Sequence, residues 1–289
     1  MQYDTIGFNV RYYREMKGLT QKQLAEDICT QAQISKIEKG DIIPLSSTLY
    51  EIAKKLDLDV NYFFQMGEHE RVDYIEELKN VIRQKIRDYD YEDVMETLQS
   101  HEYEKFFTNV YLQQFRLWHL GICIYHLYGD YEKAMEYMEE GLALTYKGST
   151  MYTEREIEIM NSMAIIQYSE GKGEEAHDNL LKAIHASVFV PKLKPSIKVR
   201  MWYNLSNILT IEERYNEALG AADRGIQICV REEMMYLLGE LLFQRGYCER
   251  KLNYKIWKRH FKQAIGIFEV AKKEHLAEMA KKEMGEDHE

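Results

Sequence analysis

The chain has 289 residues, of which 45% are hydrophobic, and a formal net charge of −10 at pH 7. This length allows two domains with a sizeable core, and 22 tyrosines with only 3 prolines favour a mostly helical protein. The acidic charge argues against a protein that binds nucleic acid through generic phosphate attraction. No apolar run is long enough for a membrane span or a signal peptide, which predicts a cytoplasmic protein with no membrane partner.

The sequence contains little that would support catalysis or metal binding. His119, Cys123 and His126 share one face of a predicted helix, and zinc would accept them, but a fourth ligand is not evident. We therefore expect a stripe of half-buried residues there, with no metal and no cofactor. No HExxH, GxSxG or phosphate-cradling glycine loop is present, which predicts that the chain is not an enzyme. The four cysteines lack CxxC spacing and are expected to be reduced thiols: Cys29, Cys123, Cys229 and Cys248.

Residues 20–40, TQKQLAEDICTQAQISKIEKG, contain two helix starts ten residues apart. Thr20 with Gln23, and Thr30 with Gln33, form capping boxes in which each threonine oxygen accepts a backbone N–H group. The short interval predicts two helices joined by a tight turn at 28–30.

The two helices have apolar inner faces and a polar outer face. The inner positions are spaced i, i+4 in the first helix and i, i+3 in the second: Leu24 with Ile28, and Ile34 with Ile37. Ala25 is small enough for a close helix crossing, and Gly40 suits a left-handed position after the second helix. The outward side chains of the second helix are candidates for contacts with base edges or phosphates: Gln31, Ala32, Gln33, Ser35, Lys36 and Lys39. The alternative is a solvated polar face.

This segment resembles the helix-turn-helix domain of the phage-repressor (XRE or Cro/C1) type, over about residues 5–66. The resemblance implies that Gln21 contacts a phosphate and that Gln31, Ala32 and Lys36 face the bases. It also implies a structural ion pair between Arg14 and Glu38. The turn is one residue shorter than in typical phage repressors.

The acidic charge lies almost wholly outside this domain. Residues 1–66 have a net charge of −1, and the remainder has a net charge of −9. A near-neutral DNA-binding domain gains little from non-specific phosphate attraction. We therefore expect a single copy to bind DNA weakly, so that dimerisation is needed for an operator with two half-sites.

Related fragments begin at residues 91, 131, 173, 215 and 254, at intervals of 39 to 42 residues. This period predicts stacked helical hairpins. Small residues recur seven positions apart, as needed for close packing: Ala134/Gly141, Ala176/Ala183 and Ala218/Gly225. The pattern resembles tetratricopeptide repeats, with Ala164 and Leu205-Ser206 at the small packing position and Trp257 marking a terminal cap. The expected domains are 1–66 (helix-turn-helix), 67–90 (linker helix), 91–276 (repeats) and 277–289 (a polar, frayed tail).

The first helix of each hairpin is expected to line the concave face of an all-α superhelix. An extended peptide is the natural ligand for such a face, and asparagine and glutamine can bond its backbone groups. Trp118, Asn161, Asn204 and Gln244 lie on these helices, and Asn161 and Asn204 are about one repeat apart. The alternative for this pair is an interhelical hydrogen bond.

The whole chain resembles the PlcR-type peptide-responsive quorum-sensing regulators of Gram-positive bacteria (RRNPP family). The segments that carry the resemblance are TQKQLAEDIC, QQFRLWHL, IMNSMAI, WYNLSNIL and LFQRGYCERKLNY. The resemblance implies a homodimeric transcription regulator that binds a palindromic double-stranded DNA operator and a short secreted signalling peptide.

The same resemblance assigns roles to individual residues. It implies that Asn161 and Asn204 clamp the peptide backbone and that Gln244 adds a polar contact. The remaining implied contacts are two basic residues facing acidic groups of the peptide and two aromatic residues lining its apolar pockets: Lys85, Arg87, Tyr203 and Trp118.

Two other functions fit parts of the sequence. The repeats would serve only dimerisation or protein-partner binding if the helix-turn-helix domain worked without a ligand. Some relatives with similar repeats are phosphatases, but these lack the N-terminal DNA-binding domain.

Overall fold

The computed structural model describes residues 2–64, 69–100, 107, 109–148 and 151–285, with nothing described for the side chains of residues 2–5 and 69–74. Within those ranges every regular element is a helix and no strand is present, which confirms the all-α prediction. The chain divides into two compact units, residues 1–90 and residues 91–289. Among the residues covered, no helix is both long and apolar enough to cross a membrane.

The first unit contains a five-helix domain followed by one long helix. A buried apolar core holds the domain together, and Val10, Leu24, Ile34, Ile52 and Phe63 are all fully buried. The elements are α1 (Gln2–Met16), α2 (Gln21–Ala25), α3 (Gln31–Glu38), α4 (Ser46–Leu56), a 3-10 helix (Val60–Phe64) and α5 (His69–Arg87). The last of these occupies the segment predicted as a linker helix.

The second unit is a series of helical hairpins, each made of an A helix packed on the following B helix. After α6 (Tyr91–Gln99), the A helices are α7 (Val110–Tyr128), α9 (Glu154–Ser169), α11 (Pro195–Ile211) and α13 (Leu238–Lys251). The B helices are α8 (Tyr131–Thr145), α10 (Gly173–Ser187), α12 (Tyr215–Arg231) and α14 (Trp257–Val270). The final helix, α15 (Glu274–Met284), packs on α14. The predicted hairpin repeat is confirmed.

Small residues allow the two helices of a hairpin to approach closely. A Cβ atom added to Gly121 would lie 2.8 Å from the carbonyl oxygen of Ala134 on the next helix. Ser206, in a corresponding region of α11, donates its hydroxyl proton to the carbonyl oxygen of Ala218 at 2.9 Å. Larger side chains at these positions would push the two helices of the hairpin apart, as the small-residue pattern predicts.

The prediction of a polar tail from residue 277 was wrong. Residues up to Met284 continue in α15, where Ala277, Ala280 and Met284 are buried against the preceding helix. Their spacing of three and four residues makes one apolar stripe on an otherwise charged helix, and the charged surroundings concealed it in the sequence. Trp257 therefore does not end the stack. Residues 286–289, also expected to be frayed, lie outside the described residues.

Candidate functional site

The helix-turn-helix segment forms as its capping residues predict. Thr20 and Thr30 each accept the backbone N–H of the glutamine three residues later, and both capping boxes are complete. Gly40 has a φ of 77°, and its N–H group donates to the carbonyl of Ile37, which closes α3. The start and end of the recognition helix are therefore determined locally.

The extent of the first helix and of the turn was predicted incorrectly. α2 ends at Ala25, and Asp27 adopts a left-handed φ of 65°, so the turn begins two residues earlier than expected. Ile28 lies in this turn and not on the helix, but it is half-buried and still packs against the domain core. The apolar side chain keeps its predicted environment although the backbone around it does not continue the helix.

The recognition helix α3 has one buried face and one exposed face. Ile34 and Ile37 are buried, as predicted. Five of the six candidate DNA-contacting side chains are exposed and Ser35 is half-buried; the exposed ones are Gln31, Ala32, Gln33, Lys36 and Lys39. The Oε1 atom of Gln33 accepts from the N–H and hydroxyl groups of Thr30, so its oxygen is occupied by the cap.

A chain of hydrogen bonds connects the exposed Gln31 to the interior of the domain. Gln31 Nε2 donates to Gln21 Oε1 at 2.9 Å, and Gln21 Nε2 donates to Glu38 Oε2 at 2.8 Å. Arg14 donates to both oxygens of Glu38, at 2.6 and 2.9 Å, and also to the carbonyl of Leu19 at 2.8 Å. The hydrogen bond to Glu38 raises the pKa of Arg14. This arrangement fixes the orientation of the Gln31 amide before any ligand is present.

Gly7 was not identified by sequence reasoning, although it sets the position of α3. A Cβ atom at Gly7 would lie 2.1 Å from the carbonyl oxygen of Ile37 and 3.2 Å from the backbone of Glu38. The C-terminal end of the recognition helix therefore rests directly on the backbone of α1. A single glycine within a helix gives no signal in sequence that distinguishes this role from a neutral one.

Several predicted peptide-binding residues lie together where neighbouring A helices meet. Asn204 on α11 donates from Nδ2 to Oδ1 of Asn161 on α9 at 3.0 Å. Gln244 on α13 donates from Nε2 to Oδ1 of Asn207 on α11 at 3.0 Å, and accepts from Thr210 at 3.2 Å. We call the surface formed by these five residues the A-helix face. Asn207 and Thr210 were not predicted, although Asn207 stands only three residues after Asn204.

The amide groups on this face are held firmly. Asn161 is only 4% exposed and Gln244 only 8% exposed, so neighbouring side chains cover most of both residues. A primary amide has two donor hydrogens and an oxygen with two lone pairs, and the bonds above use only part of this capacity. The interhelical hydrogen bond considered from sequence is therefore present, and Asn204 keeps further bonding capacity.

The two aromatic candidates differ in position. Trp118 is only 3% exposed, and its indole N–H donates to the hydroxyl of Ser162 at 2.9 Å. Its side chain is therefore almost wholly covered where α7 meets α9. Tyr203 is half-buried and packs against a small apolar cluster around Leu241.

A groove of about 320 Å³ lies beside Gln244, between the C-terminal parts of α11 and α13. Apolar, aromatic, polar and charged side chains all line it: Thr210, Ile211, Glu213, Tyr215, Phe243, Gln244, Tyr247 and Lys251. Phe243 and Tyr247 stack with ring centroids 6.5 Å apart. The groove combines apolar surface with the polar group of Gln244, the usual composition of a side-chain pocket.

Lys85 and Arg87 lie at the end of α5, in the first unit. Lys85 pairs with Asp90 at 3.2 Å, and Arg87 donates from Nε to Gln84 at 3.2 Å. Both side chains therefore have acceptors within their own unit.

The three side chains considered as zinc ligands have other environments. His119 Nδ1 donates to the carbonyl of Phe115 at 2.8 Å, and burial raises the pKa of the Cys123 thiol to about 12. His126 stacks on Tyr91 with centroids 4.3 Å apart, and burial lowers its pKa. These contacts are typical of packed helix interfaces. In the described part of the chain, no group of three or more potential ligands could hold a metal ion.

Three solved structures resemble the chain over nearly its whole length. Bacillus thuringiensis PlcR in complex with the peptide PapR7 and DNA has 26% sequence identity and a TM-score of 0.85, covering 96% of this chain and 99% of that chain. ComR from S. thermophilus, in complex with DNA and its signalling peptide ComS, has 16% identity and a TM-score of 0.64, covering 96% and 98%. The Streptococcus dysgalactiae SHP pheromone receptor Rgg2 has 15% identity and a TM-score of 0.65, also covering 96% and 98%. At these identities the last two show the fold alone.

Comparison with curated proteins gives no match. Two family models do match the chain. A helix-turn-helix model matches residues 10–63, and the RNPP family C-terminal domain matches residues 75–284. Since the second match spans well over half of the chain, the chain belongs to the RNPP family and carries a helix-turn-helix domain before its family-defining repeats.

Proposed function

We propose that the chain is a sequence-specific transcription regulator that binds a palindromic operator as a homodimer and responds to a short signalling peptide held on the A-helix face. It would act in the cytoplasm, without catalytic activity. The observation that carries the proposal is the row of amide side chains on successive A helices, in a chain whose other unit has an exposed recognition helix. The PlcR structure with peptide and DNA supports both parts.

The DNA-binding part rests on the orientation of Gln31. Its Nε2 atom uses one hydrogen in the bond to Gln21, which leaves the second hydrogen and the Oε1 oxygen for a ligand. One donor and one acceptor on a side-chain amide match the N7 and N6 groups of adenine in the major groove. Lys36 on the same helix and Lys39 directly after its end suit guanine or phosphate contacts.

The peptide-binding part rests on the remaining bonding capacity of the amides. An extended peptide exposes a donor and an acceptor at each residue, and a buried backbone group without a partner costs about 1–3 kcal/mol. Asn161, Asn204 and Gln244 are fixed before binding, so little side-chain entropy is lost when the peptide binds. The peptide would then shift the population between arrangements of the paired DNA-binding domains, through its different affinity for each.

One observation favours a second candidate function. The amides on the A-helix face already bond to one another, as a purely structural network would. In that case the repeats would serve dimerisation or a protein partner, and the regulator would work without a peptide.

Isothermal titration of the full-length protein with synthetic peptides distinguishes the two candidates. The peptides would be the C-terminal segments of small secreted open reading frames near the gene. We expect Asn204→Ala and Asn161→Ala to weaken binding by about 1–3 kcal/mol. The matched control is Asn179→Ala, because Asn179 also makes an interhelical amide bond, to Gln167 at 2.9 Å, but is on a B helix. Full-strength binding by the folded Asn161 and Asn204 variants would show that the A-helix face is not the peptide site. Equal weakening by the Asn179 control would show the same.

Selection of DNA sites from a random pool tests the other part. The wild-type protein should select an inverted repeat, as a symmetric dimer requires. Gln31→Ala should relax the preference at one base position in each half-site at a cost of about 1–3 kcal/mol. Gln21→Ala, which releases the Gln31 amide from its hydrogen bond, should weaken binding and relax the same base position to a smaller extent. Selection of a site without two-fold symmetry would contradict the homodimer.

A further inference from the structure

Two arginine side chains meet one buried glutamate beside the A-helix face. Glu158 on α9 has a side chain that is only 6% exposed. Arg200 on α11 donates from Nη2 to Glu158 Oε1 at 2.8 Å, and Arg155 Nε lies 3.8 Å from Glu158 Oε2. These three side chains, which we call the arginine cluster, together carry a formal charge of +1.

The arginine cluster continues the row of amide groups. Arg200 is one helical turn before Asn204, and Glu158 is about one turn before Asn161, so the ion pair and the amide pair are adjacent links between α9 and α11. Arg155 lies about two and a half turns before Ala164, whose side chain is buried in the core shared with α10, and so it is on the opposite side of α9. A ligand along the A-helix face would therefore pass the cluster.

Both guanidinium groups are arranged to receive an anion. The guanidinium of Arg155 stands over the rings of Phe115 and Trp118, at 5.1 and 5.8 Å, which restricts its movement. Arg200 is 32% exposed, and its Nε atom is buried with no hydrogen-bond acceptor among the residues that the structure describes. A buried donor without an acceptor is unfavourable, and a guanidinium offers five N–H donors in a planar fork.

We propose that the arginine cluster binds a carboxylate of the signalling peptide, and so selects for acidic peptides or for a free C-terminus. This inference rests on the proposed function. A carboxylate supplies charged acceptors to arginine donors, in the strongest common type of hydrogen bond in proteins. It also neutralises the formal charge of the cluster, while Glu158 keeps both arginines in place.

The test uses two pools of short random-sequence synthetic peptides, one with a free C-terminal carboxylate and one with a C-terminal amide. Each pool is passed over immobilised full-length protein, and bound peptides are identified by mass spectrometry. We expect the wild type to enrich carboxylates and Arg200→Gln to reduce this enrichment about tenfold, equivalent to about 1.4 kcal/mol. Enrichment of Asp and Glu in both pools assigns the contact to a side chain, whereas preference for the free pool alone assigns it to the C-terminus.

Control variants separate the contact from general effects of losing an arginine. Arg231→Gln removes an exposed arginine that pairs with Glu232 at the end of the B helix α12, and it should leave the enrichment unchanged. Because Arg200→Gln removes one positive charge from beside the buried Glu158, the double variant Arg200→Gln/Glu158→Gln is also measured. The double variant removes one charge of each sign, so the net charge of the protein is unchanged. It should also lose the enrichment of peptides that carry carboxylates.

The outcomes are distinguishable. If the wild type captures peptides without preferring carboxylates, or if both Arg200 variants retain the preference, the inference is wrong and the proposed function stands. If the wild type captures no peptide from either pool, the proposed function is wrong and the inference with it.

Discussion

Gly7→Ala is expected to destabilise the helix-turn-helix domain, against the usual effect of this substitution. Within a helix, alanine is normally more stable than glycine by about 1 kcal/mol. Here the new Cβ atom would lie 2.1 Å from the carbonyl oxygen of Ile37, whereas a close C···O contact is about 3.3 Å or longer. One of the two helices must move by roughly 1 Å, and overpacking of this kind costs about 1–3 kcal/mol. Movement at Ile37 would also disturb the adjacent Glu38 and its bonds to Arg14.

Thermal unfolding of the full-length protein, followed by calorimetry, measures this effect. A loss of 1 kcal/mol lowers the melting temperature of a domain of this size by about 4–8 °C, so the transition of the first unit should shift by several degrees. The matched control is Gly220→Ala on the exposed side of α12, where a Cβ atom would meet nothing within 4 Å, and it should stabilise the second unit slightly. Equal stabilisation by both substitutions would refute the close contact between α1 and α3. Operator binding, measured below the melting temperature, should fall for Gly7→Ala only.

Three further predictions concern buried charge, protonation and thiol reactivity. Glu38→Gln should destabilise the first unit by about 3 kcal/mol in denaturant unfolding, because it leaves the guanidinium of Arg14 buried without its main counter-charge. Adding Arg14→Met should recover part of the lost free energy of unfolding. No recovery in the double variant would count against the ion pair. Burial lowers the pKa of His126 below its ordinary 6.5, so the unfolded chain binds the proton first on acidification. The free energy of unfolding should therefore fall from about pH 7 to pH 5, and it should fall less in His126→Phe. Identical pH profiles for the wild type and the variant would exclude this cause. Iodoacetamide should label Cys29 before Cys123 in the native protein, because Cys29 is partly exposed whereas Cys123 is fully buried with a pKa raised to about 12. Equal rates of labelling at the two cysteines, measured by mass spectrometry, would contradict the described burial.

Local signals in the sequence were sufficient to place the two helix starts of the helix-turn-helix segment. The capping boxes at Thr20 and Thr30 depend only on residues three positions apart, so they could be predicted without knowledge of the fold. The length of α2 could not, because its end depends on a left-handed residue at Asp27 that carries no glycine signal. Asparagines one repeat apart likewise predicted that Asn161 and Asn204 occupy equivalent places, and the structure joins them by a hydrogen bond.

The sequence by itself therefore determined the helical class, the repeat period and the two faces of the recognition helix. These properties follow from spacing along one helix or between successive repeats, which the order of residues records directly. Only the tertiary structure decided which side chains meet across helices: the contact of Gly7 with the end of α3, the burial of Trp118 beneath Arg155, and the meeting of Arg200 with Glu158. Such contacts depend on the rotation and separation of packed helices, which are fixed by the whole core and not by any short segment of the chain.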